Sequence, residues 1–255
     1  LTIEYKFRFA YTPDWPGADN MEIDRVLGEK FPPDLPFLRF YTWDTPTISF
    51  GCNQNAAKRI NPELCRQDNI PVVKRPTGGR ELLHGHDLCY TAAIPLKNPL
   101  GSIEARGFFA EINNVLVAGL QAMGVKAQWS AFSGRPRLAN GPCFVQANSG
   151  EITVSHRKLM ASAQRVYERC LIQEGSMPLF RPNVDLARYL NSAGRDDIRR
   201  RIDEVAAYLF EVSPESMAIP DLIAIFQQAF ENYYRGPAGP AENIIEEFQR
   251  NNFRA

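Results

Sequence analysis

The segment Lys74-Arg75-Pro76-Thr77-Gly78-Gly79-Arg80-Glu81-Leu82-Leu83-His84 sets two adjacent glycines between arginines. Adjacent glycines take positive φ and let a ligand lie directly on peptide groups. Their N–H groups then cradle a carboxylate, a carbonyl or a phosphate. Arg75 and Arg80 add positive charge that needs no tuning. The same residues also read as a plain hairpin turn with two surface arginines, and His84 as a hydrogen-bonded structural histidine. A second segment runs from Cys143 through Ser155-His156-Arg157-Lys158 to Arg165. If residues 159–165 are extended, Lys158, Met160, Ser162 and Gln164 share one face. Ala161, Ser162 and Ala163 are small and let a ligand approach the backbone. A lysine heading such a strand suits a cation that grips a developing oxyanion or a phosphate; a solvated hairpin lysine is the plainer alternative. Cys143 follows Gly141-Pro142 in a polar loop over 133–150. A loop cysteine is a nucleophile candidate where a neighbour such as Lys158 or an arginine lowers its pKa. Cys89, in a strand, reads as an inert small hydrophobe.

These segments need a scaffold, and the chain supplies its signals. Asp19-Asn20 is positioned to cap a helix carrying Met21, Ile23, Val26 and Leu27. Residues 37–43 and 47–51 read as strands around the turn Asp44-Thr45-Pro46, and 72–74 and 87–94 as two more. Phe108, Ile112, Val115, Leu116, Leu120 and Met123 form a helical stripe that Gly124 ends. Residues 151–154 and 159–166 read as a hairpin around Ser155-His156-Arg157, with 171–177 the next strand. The last third changes character. One amphipathic helix carries Ile198, Ile202, Val205, Leu209 and Phe210, and a second carries Leu222, Ile223, Phe226, Phe230 and Tyr233. A short third carries Ile244, Ile245 and Phe248, after the breaker Gly236-Pro237-Ala238-Gly239-Pro240. Arg199-Arg200-Arg201 reads as a solvated helix face, or as a dock for an acidic partner.

Composition bounds the function. Of 255 residues 44% are hydrophobic, which excludes a disordered chain. Lys+Arg and Asp+Glu number 29 each, so the net charge is zero, and no nucleic-acid partner is expected. No run of about 18 apolar residues exists, so no membrane span is expected. Residues 1–10 alternate charged and apolar and do not read as a signal peptide. Five scattered cysteines without a CxxC fit free thiols in a reducing cytoplasm. Only His84 and His86 lie close enough to build a histidine metal site, and no metal is expected.

Taken together and in order, the segments resemble the biotin/lipoate protein ligase and octanoyltransferase superfamily. Asn20-Met21-(x)-Ile23-Asp24 resembles its NMAxD helix start. Leu38-Arg39-Phe40-Tyr41-(x)-Trp43 and Ser49-(x)-Gly51-(x)-(x)-Gln54 resemble its next two strands. Arg75 to Arg80, with His84 and Leu88-(x)-Tyr90, resembles the acyl-binding loop. Arg157-Lys158-Leu159-(x)-(x)-Ser162-Ala163-Gln164-Arg165 resembles GRKxxGSAQR with its essential lysine, and Leu171-Ile172-Gln173-(x)-Gly175-Ser176 resembles LQHGS. The likeness spans about residues 20 to 180.

The resemblance implies an α+β catalytic domain, a mixed β-sheet flanked by helices. It implies a single domain over 1–255, with 1–180 the core that carries sheet and active site and 181–255 a helical C-terminal part. The implied reaction joins an eight-carbon acid to one lysine of a carrier, either a lipoyl domain or the glycine-cleavage H protein. Cys143-Phe144 lies where cysteine-dependent octanoyltransferases keep their nucleophile. This favours a route from acyl carrier protein through a Cys143 thioester, with no cofactor required. The chain's length points the same way, since classical ligases append an accessory domain. The alternative is a lipoate-protein ligase that uses ATP and Mg to form lipoyl-adenylate, and a second is a non-catalytic protein that holds lipoate or lipoylated carriers. In the thioester reading Lys158 stabilises the oxyanion, and Arg75, Thr77, Gly78, Gly79, Arg80, His84, Ser162 and Ala163 bind the acyl group, with Leu82 and Leu83 lining its tail. An acidic carrier is expected from Arg75, Arg80, Arg157 and Arg165. Four departures from the pattern leave the substrate open: His156 and Ala161 for glycines, Glu174 for the histidine of LQHGS, and Glu81 for a small residue.

Overall fold

The computed structural model describes residues 4–30, 34–96, 102–129, 142–145, 150–192, 194–215, 217–241, 244–246 and 248. Its main sheet has eight strands. In spatial order they are β11 (Ala238–Pro240), β1 (Phe7–Trp15), β2 (Phe37–Trp43), β6 (Asp87–Pro95), β10 (Cys170–Pro178), β9 (Arg157–Val166), β8 (Ile152–Val154) and β7 (Ala127–Trp129). β11, β1 and β2 run parallel, and every pairing from β2 to β7 is antiparallel, so the sheet is mixed. A second sheet of three strands sets β3 (Thr47–Phe50) between β4 (Val72–Lys74) and β5 (Leu82–His84).

Strand alternation assigns every side chain of the central strands to one of two faces. Register aligns Phe40, Tyr90, Gly175 and Ser162 across β2, β6, β10 and β9 on one face. It aligns Tyr41, Cys89, Ser176 and Ala161 on the other. The first face is covered by α4 (Ser102–Ala122) and α8 (Ile219–Tyr234), whose Leu116, Leu120, Phe226 and Phe230 bury fully against Phe40 and Tyr90. Each such large apolar side chain contributes about 1.5–3 kcal/mol on leaving water. The second face is covered by α1 (Gly17–Glu29) and the small sheet, through Met21, Ile23, Val26 and Leu27. Shorter helices α2 (Ala56–Arg59), α3 (Pro62–Gln67), α5 (Leu186–Tyr189), α6 (Arg195–Val205) and α7 (Leu209–Val212) lie between these elements.

Several sequence expectations change. α1 starts at Gly17 behind Pro16, whose φ of −54° suits a cap without a side-chain bond. Asn20 therefore lies inside the helix, donating to the Trp15 and Thr42 carbonyls and accepting from buried Arg39. The helix expected to run from Ile198 to Phe210 ends at Val205. Residue 206 bridges to Lys158, and Ala207 N–H bonds the Lys158 carbonyl, so the start of β9, which β10 does not pair, pulls this stretch into extended form. The breaker before the third C-terminal helix carries β11, which pairs with β1 through Phe7–Ala238. Ile244, Ile245 and Phe248 are helical, but the rest of that element lies outside the described residues. Arg199, Arg200 and Arg201 lie on the exposed side of α6, paired with Asp185, Asp196, Asp197 and Glu204.

Candidate active site

The glycine loop lies against the end of β3. Arg75 N–H bonds the Phe50 carbonyl at 2.7 Å, and Cys52 N–H bonds the Thr77 carbonyl at 2.8 Å. Gly79 has φ +96°, a conformation that side-chain-bearing residues rarely adopt. Gly51 is needed for the close approach, because a Cβ there would meet the Gly79 carbonyl oxygen at 2.3 Å. Arg75 is buried beneath the loop and spends its guanidinium on it. Nη2 donates to the Gly78 and Arg80 carbonyls at 3.1 and 2.9 Å, and Nη1 to Ser49 Oγ at 2.5 Å. Arg75, expected to meet a ligand, shapes the loop and also borders the cavity beneath it.

Behind Arg75 runs a buried relay. Ser49 Oγ lies 2.6 Å from His84 Nε2, and His84 Nδ1 lies 2.7 Å from Asp87 Oδ2. Arg75, Ser49, His84 and Asp87 thus form one continuous hydrogen-bonded chain. The His84 ring stacks on Trp43 at 4.1 Å, and Ser176 Oγ also bonds Asp87 at 2.6 Å. Burial opposes charge on Asp87, but His84 and Ser176 more than offset it and hold the carboxyl well below its usual range. Burial drives the Cys89 thiol well up, consistent with an inert core cysteine. His84, Asp87 and Cys89 are the described residues that come together as potential metal ligands, but their atoms are spent on one another. His84 thus acts through Ser49 and Arg75 on the loop.

Lys158 reaches the site through a bulge. Ile152 pairs with Met160 but Thr153 with Lys158, so Leu159 is an extra residue in β9. The bulge leaves Met160, Ser162 and Gln164 on the α4 face and turns Lys158 away from them. Ser162 accordingly bonds Tyr90 Oη at 2.8 Å, and Gln164 bonds Gln173 at 2.9 Å. The expected shared face is thereby corrected. Lys158 is fully buried, and its ammonium donates to Glu151 Oε1 at 2.5 Å and to the Cys143 carbonyl at 2.9 Å. It also sits 3.4 Å from Cys143 Sγ and 4.8 Å from the Phe144 ring. A single 3-10 turn, Cys143–Val145, presents the cysteine, tied by Cys143 N–H to the Glu81 carbonyl at 3.1 Å. Most of the 133–150 loop lies outside the described residues.

A narrow cavity of about 50 Å³ joins these parts. Thr77, Gly78, Gly79, Leu82, Cys143, Ala163 and Glu174 line it. Leu82 faces the cavity with His84, as alternation along β5 requires, while Leu83 points the other way to Ile48 and Phe50. Leu83 is therefore not part of this slot. Two other arginines are also occupied: Arg157 donates to the Ala206 carbonyl, and Arg165 to the Pro76 carbonyl at 3.0 Å. Both acceptors are neutral carbonyls, so the two arginines keep their positive charge. A sulfur, an ammonium and a glycine-lined slot in mutual contact are the parts that acyl transfer through a thioester requires.

Comparison with known proteins agrees with this geometry. The lipoyl protein ligase A/B catalytic domain family matches residues 16–231. The chain belongs to that family. Octanoyltransferase LipM of Bacillus cereus is 30% identical over 84% of this chain and 81% of its own. Octanoyltransferase LipM of Carboxydothermus hydrogenoformans is 28% identical over 90% and 88%. The fold also matches a crystal structure of lipoate-protein ligase A bound with ATP, at 17% identity and a TM-score of 0.73 over 99% of this chain and 97% of the other. A bipartite lipoate protein ligase from Thermoplasma acidophilum gives 18% and 0.75 over 98% and 93%.

Within the lipoyl protein ligase A/B frame the four departures have definite places. His156 occupies the β8–β9 turn at φ +64°, away from the cavity. Ala161 packs beside Cys143, Phe144 and Leu82. Glu81 is fully buried, bonded by Gln54 at 2.6 Å and by Arg59. Glu174 forms part of the cavity wall and accepts a hydrogen bond from Thr77. Sequence reasoning passed over Ser49, Asp87 and Glu151 as site residues. Each is a common polar residue whose role appears only when the partner strand is in place.

Proposed function

We propose that the protein is an octanoyltransferase. It takes octanoyl from acyl carrier protein onto Cys143 and passes it to one lysine of a lipoyl-domain carrier. The observation that carries this reading is Lys158 Nζ at 3.4 Å from Cys143 Sγ, with Cys143 in the wall of the glycine cavity. The chemistry follows from those positions. The Cys143 thiolate attacks the donor thioester carbonyl, forming a C–S bond. The Lys158 ammonium stabilises the tetrahedral oxyanion, and the donor's thiolate leaves. The carrier lysine's amine then attacks the Cys143 thioester, the C–S bond breaks, and the amine's proton ends on the released sulfur. A thioester holds enough free energy to form the amide, so the route requires no nucleotide.

Gly78, Gly79, Thr77, Leu82 and Ala163 form the acyl slot in this reading. His84 and Arg75 position the loop, and Ser162 fixes the strand behind it through Tyr90. Arg80 borders the loop. The five cysteines are free, which suits a cytoplasmic enzyme. Lipoyl domains and the glycine-cleavage H protein are the acceptors to try. The ATP- and Mg-dependent ligase reading is supported by fold likeness to ligases at under 20% identity, while the relatives near 30% are octanoyltransferases. A non-catalytic carrier-binding role leaves the Cys143–Lys158 contact without a purpose.

The test is transfer from octanoyl-acyl carrier protein to an apo lipoyl domain without ATP. Amide on the carrier lysine, abolished by Cys143→Ser, is expected. Modification that requires ATP and free acid, and survives Cys143→Ser, establishes the ligase instead. Tight carrier binding with no product under either condition establishes the non-catalytic role.

A further inference from the structure

Glu174 and Asp24 meet behind the glycine loop. Glu174 lies on β10 at 5% exposure, and Asp24 on α1 at 0%. Glu174 Oε2 accepts from the Thr77 hydroxyl, and the Thr77 backbone N–H also reaches this carboxylate. Asp24 Oδ2 accepts from Thr91 Oγ1 at 2.8 Å. The remaining oxygens, Glu174 Oε1 and Asp24 Oδ1, are buried without a bond from any other residue's N–H or O–H. Register sets Glu174 directly opposite Thr91, the residue whose hydroxyl holds Asp24, so the two buried carboxyls are neighbours on this face of the sheet. Two carboxylates cannot both stay ionised at such range in a dry site, whereas one proton between them turns repulsion into a strong hydrogen bond.

We propose that Asp24 and Glu174 share one proton, and that this proton latches Thr77 and with it the glycine loop over the acyl cavity. Glu174 is thereby a positioning residue for Gly78 and Gly79. This rests on the reading that the cavity takes the acyl group. The charges around the pair fit a single proton. Arg39 of β2, fully buried, brings its Nη1 to 3.7 Å from Asp24 Oδ1 and balances the one remaining negative charge. Arg75 of the loop attracts the carboxylate as well, but its guanidinium is held by Ser49 and the Gly78 and Arg80 carbonyls. Tyr41 of β2 and Tyr167 beyond β9 lie near the pair, and burial raises both phenols. Burial likewise raises both carboxyls; Glu174 raises Asp24 further, whereas Thr77, Arg75 and Asp24 pull Glu174 partly back. When the proton leaves, a second negative charge appears in the dry site, the carboxylates part, and Thr77 loses its anchor.

Two readouts test the latch, on the whole protein. The first is the pH dependence of Cys143 acylation by octanoyl-acyl carrier protein, with iodoacetamide alkylation of Cys143 run in parallel to remove the thiol's own titration. The second is hydrogen exchange of the 76–80 amides, corrected for intrinsic rates. In the wild type, acylation per reactive thiol falls about tenfold as the pair loses its proton on the alkaline side, and loop protection falls with it. Glu174→Gln has no shared proton to lose, so both alkaline changes disappear. Thr77→Val cuts the latch from the loop side and lowers protection at every pH while leaving thermal stability measurable. Identical alkaline profiles in wild type and Glu174→Gln overturn the proposal, as does a Thr77→Val loop as protected as wild type. If the exchange data behave as expected but wild type is never acylated, the acyl-transfer reading fails and the latch stands.

Discussion

Lys158 makes the most demanding prediction at the scale of single residues. Its ammonium is fully buried, and its contacts are Glu151, the Cys143 carbonyl and sulfur, and the Phe144 face. Removing an oxyanion donor in such a site costs about 3–4 kcal/mol, roughly a hundredfold to a thousandfold in kcat. Lys158→Ala should lose that factor in single-turnover acylation, with donor binding little changed. A loss confined to KM would reassign Lys158 to ground-state binding. The candidates themselves, Cys143, Lys158 and the paired glycines, were picked out in the sequence, and the structure brings them together. The face Lys158 occupies was not legible. Simple alternation groups it with Met160, Ser162 and Gln164, and a single-residue bulge at Leu159 breaks that count. The Asp24–Glu174 pair was equally hidden, since 150 residues of sequence separate its members. It carries a stability signature. Both carboxyls are held above their ordinary range, so the folded state keeps a proton that the unfolded chain releases above about pH 4–5. Stability should therefore decline as pH rises through and beyond that range. Chemical denaturation of Glu174→Gln should show a shallower decline; an unchanged slope would mean the pair holds no extra proton.

Turns and helices supply tests of how the elements were specified. Ser155 and His156 both have positive φ, +49° and +64°, the geometry of a type I′ hairpin turn that favours Asn-Gly. Replacing the pair by Asn-Gly should stabilise the protein by about 0.5–1 kcal/mol, seen as a rise of a few degrees in Tm. A fall would show that His156 has a partner worth more than the strain. On the opposite face, α4 and α8 approach through Gly119, where a Cβ would lie 2.7 Å from the Phe226 ring. Phe226 is fully buried, so Gly119→Ala should cost about 1–3 kcal/mol through overpacking. Most of these elements were readable from periodicity, including β2, β6, β10, α4 and α8. Two of the misreadings share a cause. The extended stretch at 206–208 and the strand β11 exist because backbone left unpaired in the main sheet, at the start of β9 beyond β10 and along β1, recruits whatever chain lies beside it. No local pattern announces a partner that distant in sequence.

At the scale of the molecule, the helical last third and the site-bearing first part share one apolar core. Leu222, Ile223, Phe226 and Phe230 belong to the same cluster as Phe7, Phe40, Tyr90 and Leu159. We infer one cooperative domain over 1–255, so circular dichroism and tryptophan fluorescence should report a single coincident denaturation transition. Two separated transitions would divide the chain near residue 180. That core also fixes the site, because β9 and β10 carry Lys158 and Glu174 on the face away from it. The central claim, that Cys143 carries an acyl group, has one direct test: intact mass after incubation with octanoyl-acyl carrier protein and no acceptor. The account predicts an octanoyl adduct that hydroxylamine removes and that Cys143→Ser lacks. An unmodified mass, or an adduct that survives in Cys143→Ser, would contradict it.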